Sequence, residues 1–235
     1  MKLAVVLACF VVFCLAEKPL PCTSPPLLTG RLSVTTNDEK VGIFGKYLYD
    51  AVGQRVRLFE MGNFKGQTFT ADVLLHFTEA AMYEINDAKR TCKKSPLKAD
   101  FQPLKIPQNA FRISQTVVGS SSVPGQGLLM NNWSGKLPDK TGDFLTTVTE
   151  LGCIPVSLTY KTKEFGWVLA DFYDNVIGIT NPNLLEPPEF CAGAAIDVEE
   201  EPRDYLSFYA NENRVQSPSI EQSLLNLWNA FKDHH

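Results

Sequence analysis

Four cysteines in the body of the chain are the residues whose type and spacing most directly predict chemistry: Cys22, Cys92, Cys153 and Cys191. An even number of widely spaced cysteines is typical of disulfides formed in an oxidising compartment. Zinc needs clustered Cys or His ligands, so this spacing argues against a zinc site. We therefore predict two disulfides, and four cysteines allow three connectivities.

Catalytic side chains are scarce. His76 is the one histidine in the body of the sequence, because His234 and His235 end it. A Ser-His-Asp hydrolase could be built on His76, yet the sequence has no G-x-S-x-G turn to present a serine. It also has no P-loop, no dinucleotide-binding motif and no H-E-x-x-H. We therefore predict that the protein is not an enzyme, with a hydrolase using His76 as the alternative.

Oxygen-bearing side chains offer two other kinds of chemistry. Calcium takes about six to eight oxygen ligands, and residues 37–39, Asp171, Asp174 and residues 199–201 could supply some of them. None of these has EF-hand spacing, so calcium is an open cofactor without assigned ligands, and no other cofactor is expected. The sequon that begins at Asn132 predicts an N-glycan and a surface position in a secreted chain.

The amino terminus and the charge indicate where the protein works. Lys2, an apolar run and then Ala16 are typical of a signal peptide, residues 1–16, that is removed before Glu17. The run is shorter than the roughly 20 apolar residues that cross a bilayer. We predict a secreted, extracellular protein without a transmembrane segment. A formal net charge of −4 and the lack of a basic cluster argue against nucleic-acid binding.

The elements that must position these residues are predicted to be mostly β-strands in one domain, residues 17–191. Residues 54–59 alternate strictly, with Val56 and Leu58 on one face, as expected of a strand with one wet side. Close-set turn clusters include residues 60–66. Further β-rich segments are residues 81–85, 127–130, 144–149, 156–160 and 164–180. Many short strands favour an antiparallel sandwich or barrel.

Residues 192–235 have a different character, with an acidic stretch followed by a predicted helix that begins near Ser217. Its apolar residues fall close to one helical face: Ile220, Leu224, Leu227, Trp228 and Phe231. Such a helix would bind a membrane or a partner, or it would dock on the chain's own core or be only half-ordered. The few basic residues on its polar face argue against a membrane surface.

Short motifs spread along the chain share their order with a known family. They are residues 22–30, 72–77, 82–86, 92–94, 106–107, 119–120, 126–128, 133–136, 152–157 and 187–191. Together with the cysteines that anchor them, they resemble the ependymin-related family and, within it, the fish-type ependymins. The resemblance covers about residues 20–210.

This resemblance implies a fold and a function. The fold would be mainly β, with curved antiparallel sheets forming a half-barrel similar to bacterial lipoprotein-carrier proteins, followed here by the helical tail. The function would be that of a secreted, non-enzymatic glycoprotein that binds a hydrophobic small molecule or lipid in an apolar pocket. Homodimers, calcium binding and cell-contact roles are also implied, as are the disulfides Cys22–Cys153 and Cys92–Cys191.

Apolar residues on the predicted strands are the candidates for lining such a pocket, although some of them would be ordinary core. They are Val56, Leu58, Phe69, Val73, Leu75, Tyr83, Ile85, Trp167, Leu169 and Phe172. The alternative function is a calcium-dependent matrix or cell-adhesion protein without a pocket, whose matrix partners bind its surface. The chain lacks the sequon that fish-type members carry near Cys92, so glycan-dependent calcium binding would not transfer.

Overall fold

The computed structural model describes residues 20–37, 40–137, 142–162 and 165–196. The predicted signal peptide and the predicted helix of residues 217–231 lie outside the described residues. Within those ranges the chain forms eleven strands and two short 3-10 helices. The strands are β1 Leu27–Thr36, β2 Val41–Asp50, β3 Arg55–Phe64, β4 Gln67–His76, β5 Ala81–Asn86, β6 Thr91–Pro96, β7 Phe111–Gly119, β8 Gly127–Lys136, β9 Asp143–Thr149, β10 Pro155–Lys161 and β11 Trp167–Ile177. The 3-10 helices are Pro182–Leu185 and Glu189–Cys191.

All eleven strands belong to one antiparallel sheet in the order β6-β5-β4-β3-β2-β1-β11-β10-β9-β8-β7. Strands β1 to β6 follow one another as a meander, and so do β7 to β11. The pairing of β1 with β11 joins the two meanders. Strands β6 and β7 are the two edges of the sheet and do not pair with each other, so the sheet is open. The predicted fold class, a mainly β antiparallel half-barrel, is confirmed.

The β3–β4 hairpin shows how the sequence specifies this sheet. As the alternation predicts, Val56 and Leu58 face the apolar side of β3. The predicted turn at residues 60–66 is wrong over most of its length, because β3 continues through it. The chain reverses only at Lys65 and Gly66, whose φ angles are 49° and 80°. Two successive residues with positive φ make the compact turn that matches the twist of a hairpin.

One face of the sheet, which we call the inner face, carries the main apolar core. Strands β1 to β5 and β11 contribute to a single cluster whose buried members are 7% exposed or less. Residues 97–106 cross one end of this face, where Phe101 stacks on Tyr49 with 5.8 Å between ring centroids. The backbone N–H of Leu104 also donates to the Tyr49 hydroxyl at 2.9 Å. Elsewhere the sheet itself curls around the cluster.

The opposite face, which we call the outer face, is covered over only part of its area. Residues 179–192, which we call the strap, leave β11 and lie across β2 to β6. Their packing produces a second cluster that includes Leu48, Leu74 and Leu185. Leu185 is only 1% exposed, so the strap is buried against the sheet along its centre.

Two disulfides fasten segments that lie outside the hydrogen-bonded sheet. Cys22, ahead of β1, bonds to Cys153 between β9 and β10, with 6.0 Å between Cα atoms. Cys92 on β6 bonds to Cys191 at the end of the strap, with 5.2 Å between Cα atoms. These are the pairs that the family resemblance implied. The second bond fixes the far end of the strap to the edge of the sheet.

Candidate ligand-binding face

The structure divides the ten predicted pocket residues between the two faces of the sheet. Six of them belong to the inner cluster or pack against it: Val56, Leu58, Phe69, Val73, Leu75 and Phe172. They come from β3, β4 and β11, which lie within five neighbouring positions of the sheet order. An apolar ligand-binding surface, if built from these residues, would therefore lie on the inner face.

The other four residues point the opposite way. Tyr83 and Ile85 belong to the cluster beneath the strap. Trp167 and Leu169 are 42% and 39% exposed on the uncovered part of the outer face. Since successive residues of a strand face opposite sides, they cannot line the same surface as Phe172. The ten candidates, some of which were expected to be ordinary core, therefore do not lie on one surface.

Several inner-face residues were not among the predicted ones. On β1 and β2, Leu32, Val34 and Ile43 are 7%, 4% and 3% exposed. Residues 28–34 place an apolar residue or glycine at every second position, and that period-two signal could have identified β1 as half of the inner face. Val168 and Ala170 alternate with Trp167 and Leu169 in the same way.

Polar groups on the inner face are few and deeply buried. Tyr47 is 2% exposed, and its hydroxyl donates to the Oδ1 atom of Asn175, whose amide donates in turn to Pro155 O at 3.0 Å. Burial raises the pKa of Tyr47, so the phenol remains neutral. Gly30 makes room for this chain, because a Cβ there would lie 2.8 Å from both Tyr47 Cε1 and Asn175 Oδ1.

Two buried polar atoms on the inner side lack a hydrogen-bond partner among the described residues, namely Ser95 Oγ and Trp133 Nε1. Ser95 pairs with Met82 of the inner cluster. Trp133 pairs with Thr146, Thr146 pairs with Leu158, and Leu158 pairs with Ala170 on the inner face. Directly paired residues point to the same side of a sheet, so Trp133 also lies on the inner side. A buried donor without a partner costs about 1–3 kcal/mol, so each marks a point where a polar ligand atom would be favourable.

Two buried side chains of the sheet, Arg57 and His76, contact the backbone of the strap. Arg57 binds Asp72 through both ends of its guanidinium, at 2.8 and 2.7 Å, and donates to Leu184 O at 2.8 Å. Burial raises the pKa of Asp72 above its usual value, and the hydrogen bonds and charge of Arg57 act in the opposite direction. His76 Nε2 lies 2.9 Å from Leu185 O. The sheet thus contacts two consecutive carbonyls of the strap.

His76 lies in a structural network on the outer face. It is 3% exposed, and its Nδ1 atom lies 3.1 Å from Glu79 Oε1. Tyr83 donates to the other Glu79 oxygen at 3.0 Å, and Lys94 Nζ lies 3.8 Å from it. The hydrogen bond with His76 is the main reason that the pKa of Glu79 is lowered. Both ring nitrogens therefore face acceptors, an arrangement that anchors the strap.

The predicted oxygen ligands do not come together in the described part of the chain. Asp174 forms an ion pair with Arg31 at 3.5 Å, and Asp171 lies on the outer face of β11. Among the described residues no group of three or more His, Cys, Asp or Glu side chains is arranged to hold a metal ion. The acidic residues 199–201 lie outside the described residues.

No helix among the described residues has the length and hydropathy to cross a bilayer.

Asn132 lies in the middle of β8 with its side chain engaged. Its amide donates to Ser114 Oγ at 3.1 Å and to Thr116 Oγ1 at 3.0 Å. Its carbonyl oxygen accepts from Thr147 Oγ1 at 2.8 Å. An N-linked glycan replaces one amide hydrogen, so glycosylation would remove one of the two donated bonds. Whether the sequon is occupied stays a prediction.

The chain is similar in sequence to known proteins. The ependymin family model matches residues 65–191. Ependymin-2 of Carassius auratus is 33% identical over 188 residues, covering 80% of this chain and 86% of that protein. Ependymin of Notemigonus crysoleucas is 32% identical with the same coverage of both chains. Mammalian ependymin-related protein 1 of Mus musculus is 27% identical over 75% of this chain and 78% of that protein.

Proposed function

Because the chain belongs to the ependymin family, we propose that it is a secreted, non-enzymatic protein that holds a hydrophobic small molecule or lipid against its inner face. The observation that carries this proposal is the inner face itself. It gathers apolar side chains of both meanders into one cluster, and residues 97–106 cross one end of it. An apolar lining of this kind is typical of sites that hold hydrophobic ligands.

Two buried polar atoms on the inner side of the sheet support an amphipathic ligand. Ser95 Oγ and Trp133 Nε1 each carry a hydrogen without a partner in the described structure. A few polar groups within a mostly apolar lining are the usual means by which a binding site orients its ligand. The ligand class that fits is therefore an apolar body with at least one hydrogen-bond acceptor.

The secreted location is supported by independent features. The signal-peptide pattern of residues 1–16 and the two disulfides both suit an oxidising extracellular compartment. The absence of an enzymatic role rests on the lack of catalytic motifs and on the use of His76 as a strap anchor. A glycan on Asn132 belongs to the same proposal.

Substitutions at two adjacent residues of β11 test the binding face. Ala170→Phe adds bulk to the inner face, and Leu169→Phe adds it to the outer face of the same strand. The purified protein would first be examined by native mass spectrometry and lipid extraction, and then titrated with a fluorescent fatty acid. We expect Ala170→Phe to weaken uptake at least about tenfold, whereas Leu169→Phe should leave it unchanged.

The thermal stability of these two variants separates a pocket from a solid core. Extra bulk in a filled core costs about 1–3 kcal/mol, whereas bulk that projects into a pocket costs little. A strongly destabilised Ala170→Phe variant, together with a wild-type protein that carries no ligand and takes up no fatty acid, would defeat the proposal.

Calcium-dependent adhesion is the rival function. It predicts heat on calcium titration that changes after deglycosylation, and an inner face without ligand. Homodimer formation, which the resemblance implies, is tested by sedimentation of the mature protein. The calcium titration and the sedimentation experiment do not depend on the Ala170→Phe variant, so ligand binding and calcium-dependent adhesion can fail separately.

A further inference from the structure

Five large side chains form an exposed apolar area on the outer face, beyond the end of the strap. They are Phe44 on β2, Leu145 on β9, and Trp167, Leu169 and Tyr173 on β11, and each is 39–43% exposed. We call this set the outer patch. Leu169 and Leu145 both pair with Thr159 of β10, and Phe44 and Tyr173 have ring centroids 6.5 Å apart. The five residues are therefore neighbours on one surface.

The outer patch has the size of patches that are often functional on soluble proteins. Six residues of strand separate Trp167 from Tyr173, which is about 20 Å, and four strand spacings from β9 to β2 give about 19 Å. The enclosed area of sheet is thus on the order of 400 Å², which is in the range of the largest patches on soluble monomers. The side chains between the five are mostly hydroxyls, such as Ser33, Thr35 and Thr159, and Asp171 lies among them opposite Ser33.

We propose that residues 217–231 of the same chain cover the outer patch. These residues carry the predicted amphipathic helix, which begins near Ser217 and has an apolar stripe from Ile220 to Phe231. At 1.5 Å per residue that stripe would be about 17 Å long, close to the length of the patch along β11. A helix with one apolar side must bury it against another element.

The connection is long enough. The described chain reaches Ile196, which forms a parallel bridge with Lys94 on edge strand β6. Six strand spacings separate β6 from β11, which is about 29 Å along the sheet. About 20 residues, 197–216, lie between Ile196 and the predicted helix, and extended chain spans up to about 66 Å over that number. Their polar, acidic composition suits a linker that crosses solvent.

The chain's own segment is favoured over a second copy for two reasons. A tethered segment has an effective concentration in the millimolar range, so modest affinity suffices to keep it bound. The molecule also covers β2 to β6 on its outer face in this way, because the strap is simply the chain that follows β11. The proposal does not depend on ligand binding, since the outer patch faces away from the inner cluster.

Hydrogen exchange of the mature full-length protein tests the proposal. We expect the amides of residues 220–231 to exchange at least about tenfold more slowly than unstructured chain. Leu169→Glu would place a charge in the contact and should remove that protection. The matched control is Val52→Glu, on a residue 78% exposed in the turn between β2 and β3, which should retain it.

Tryptophan quenching gives a second measurement, which reports on the outer patch and not on residues 220–231. In a Trp228→Phe background only Trp133 and Trp167 remain of the three tryptophans, and Trp133 is 2% exposed. Acrylamide quenching then reports on Trp167. Leu224→Asp should raise it about twofold or more if residues 217–231 lie on the patch.

Three outcomes would overturn the proposal. The first is exchange of residues 220–231 at unprotected rates in the wild-type protein. The second is protection that survives Leu169→Glu. The third is protection that increases with protein concentration between about 1 and 100 µM, because it would identify a second copy as the occupant of the outer patch.

Discussion

The outer face of the sheet has two halves with similar residues and opposite environments. Across β2 to β6, Leu48 and Leu74 are 2% and 0% exposed beneath the strap. Across β9 to β11, Leu145 and Leu169 are 43% and 39% exposed. All four are leucines on the same face of one sheet. The difference therefore arises from the path of the chain after β11 and not from the strands themselves.

Burial on an open sheet is thus decided by a segment distant in sequence. The strap reaches the first meander because Arg57 and His76 hold its carbonyls and because Cys191 is bonded to Cys92. The outer patch has no comparable fastening among the described residues. Substitutions that loosen the strap or truncate its contacts should therefore affect the covered half more than the exposed half.

Removal of the strap's disulfide should have the largest effect. The bond closes a loop of 99 residues, for which the chain-entropy model gives about 4.7 kcal/mol of stabilisation. We expect Cys92→Ala with Cys191→Ala to lower the free energy of unfolding in urea by about that amount. Hydrogen exchange should also accelerate in residues 179–192 and in β4 and β5.

The other disulfide is the control. Cys22→Ala with Cys153→Ala should destabilise the fold by a similar amount, since that loop spans 131 residues. Exchange in residues 179–192 should not accelerate selectively in this variant. If both pairs of substitutions loosened the strap equally, the strap would not depend on Cys191 for its position.

Truncation of one leucine in each half should give the next largest difference. Leu74→Ala leaves a cavity beneath the strap and should cost about 3 kcal/mol. Leu145→Ala, on the outer patch, should cost less than about 1 kcal/mol because much of its side chain is already in contact with water or with a weakly held segment. Chemical denaturation of both variants measures the two costs, and equal values would break the comparison between the halves.

His76→Ala should cost less than the Leu74 truncation, about 2 kcal/mol. The substitution removes the contact with Leu185 O and leaves Glu79 without its histidine partner. Melting temperature and exchange of the strap amides would show it. The same variant checks the hydrolase alternative, because ester turnover by the wild-type protein that disappears in His76→Ala would assign the residue a catalytic role.

The smallest predicted effect is a pH dependence in the covered half. The pKa of Glu79 is lowered in the folded protein, chiefly by its hydrogen bond with His76. Its contribution to stability is therefore present above the usual glutamate pKa near ~4.3 and is lost as pH falls through the lower folded value. The stability difference between wild type and Glu79→Gln should shrink between about pH 5 and pH 2, and a difference that grew on acidification would contradict the assignment.

Local pattern was sufficient to predict much of the sheet. Strict alternation placed Val56 and Leu58 on one face of β3. This signal depends only on neighbours in sequence. The family pattern supplied the disulfide pairing, which spacing alone left open among three connectivities.

The face to which each aromatic strand residue belongs could not be predicted in the same way. Tyr83 and Trp167 are apolar enough for either side, and both faces of the sheet bury apolar residues somewhere. Tyr83 pairs with Leu74 on β4, and Trp167 pairs with Lys161 on β10. These pairings determine the face of the sheet on which each side chain lies. Such pairings form between strands whose alignment depends on turn geometry, and a shift of one residue exchanges the two faces.

The pairing of β1 with β11 also has a consequence for how the protein is made. Thr29 Oγ1 donates to Gly178 O, 149 residues further along the chain. As the polypeptide is synthesised, the first meander emerges early, but the strand that completes its β1 edge arrives after nearly the whole sheet has been made. Contacts of such long separation form slowly, and an uncovered strand edge can pair with another chain. Nascent chains arrested before residue 167 should therefore require chaperones, whereas chains extended past residue 177 can close the centre of their own sheet.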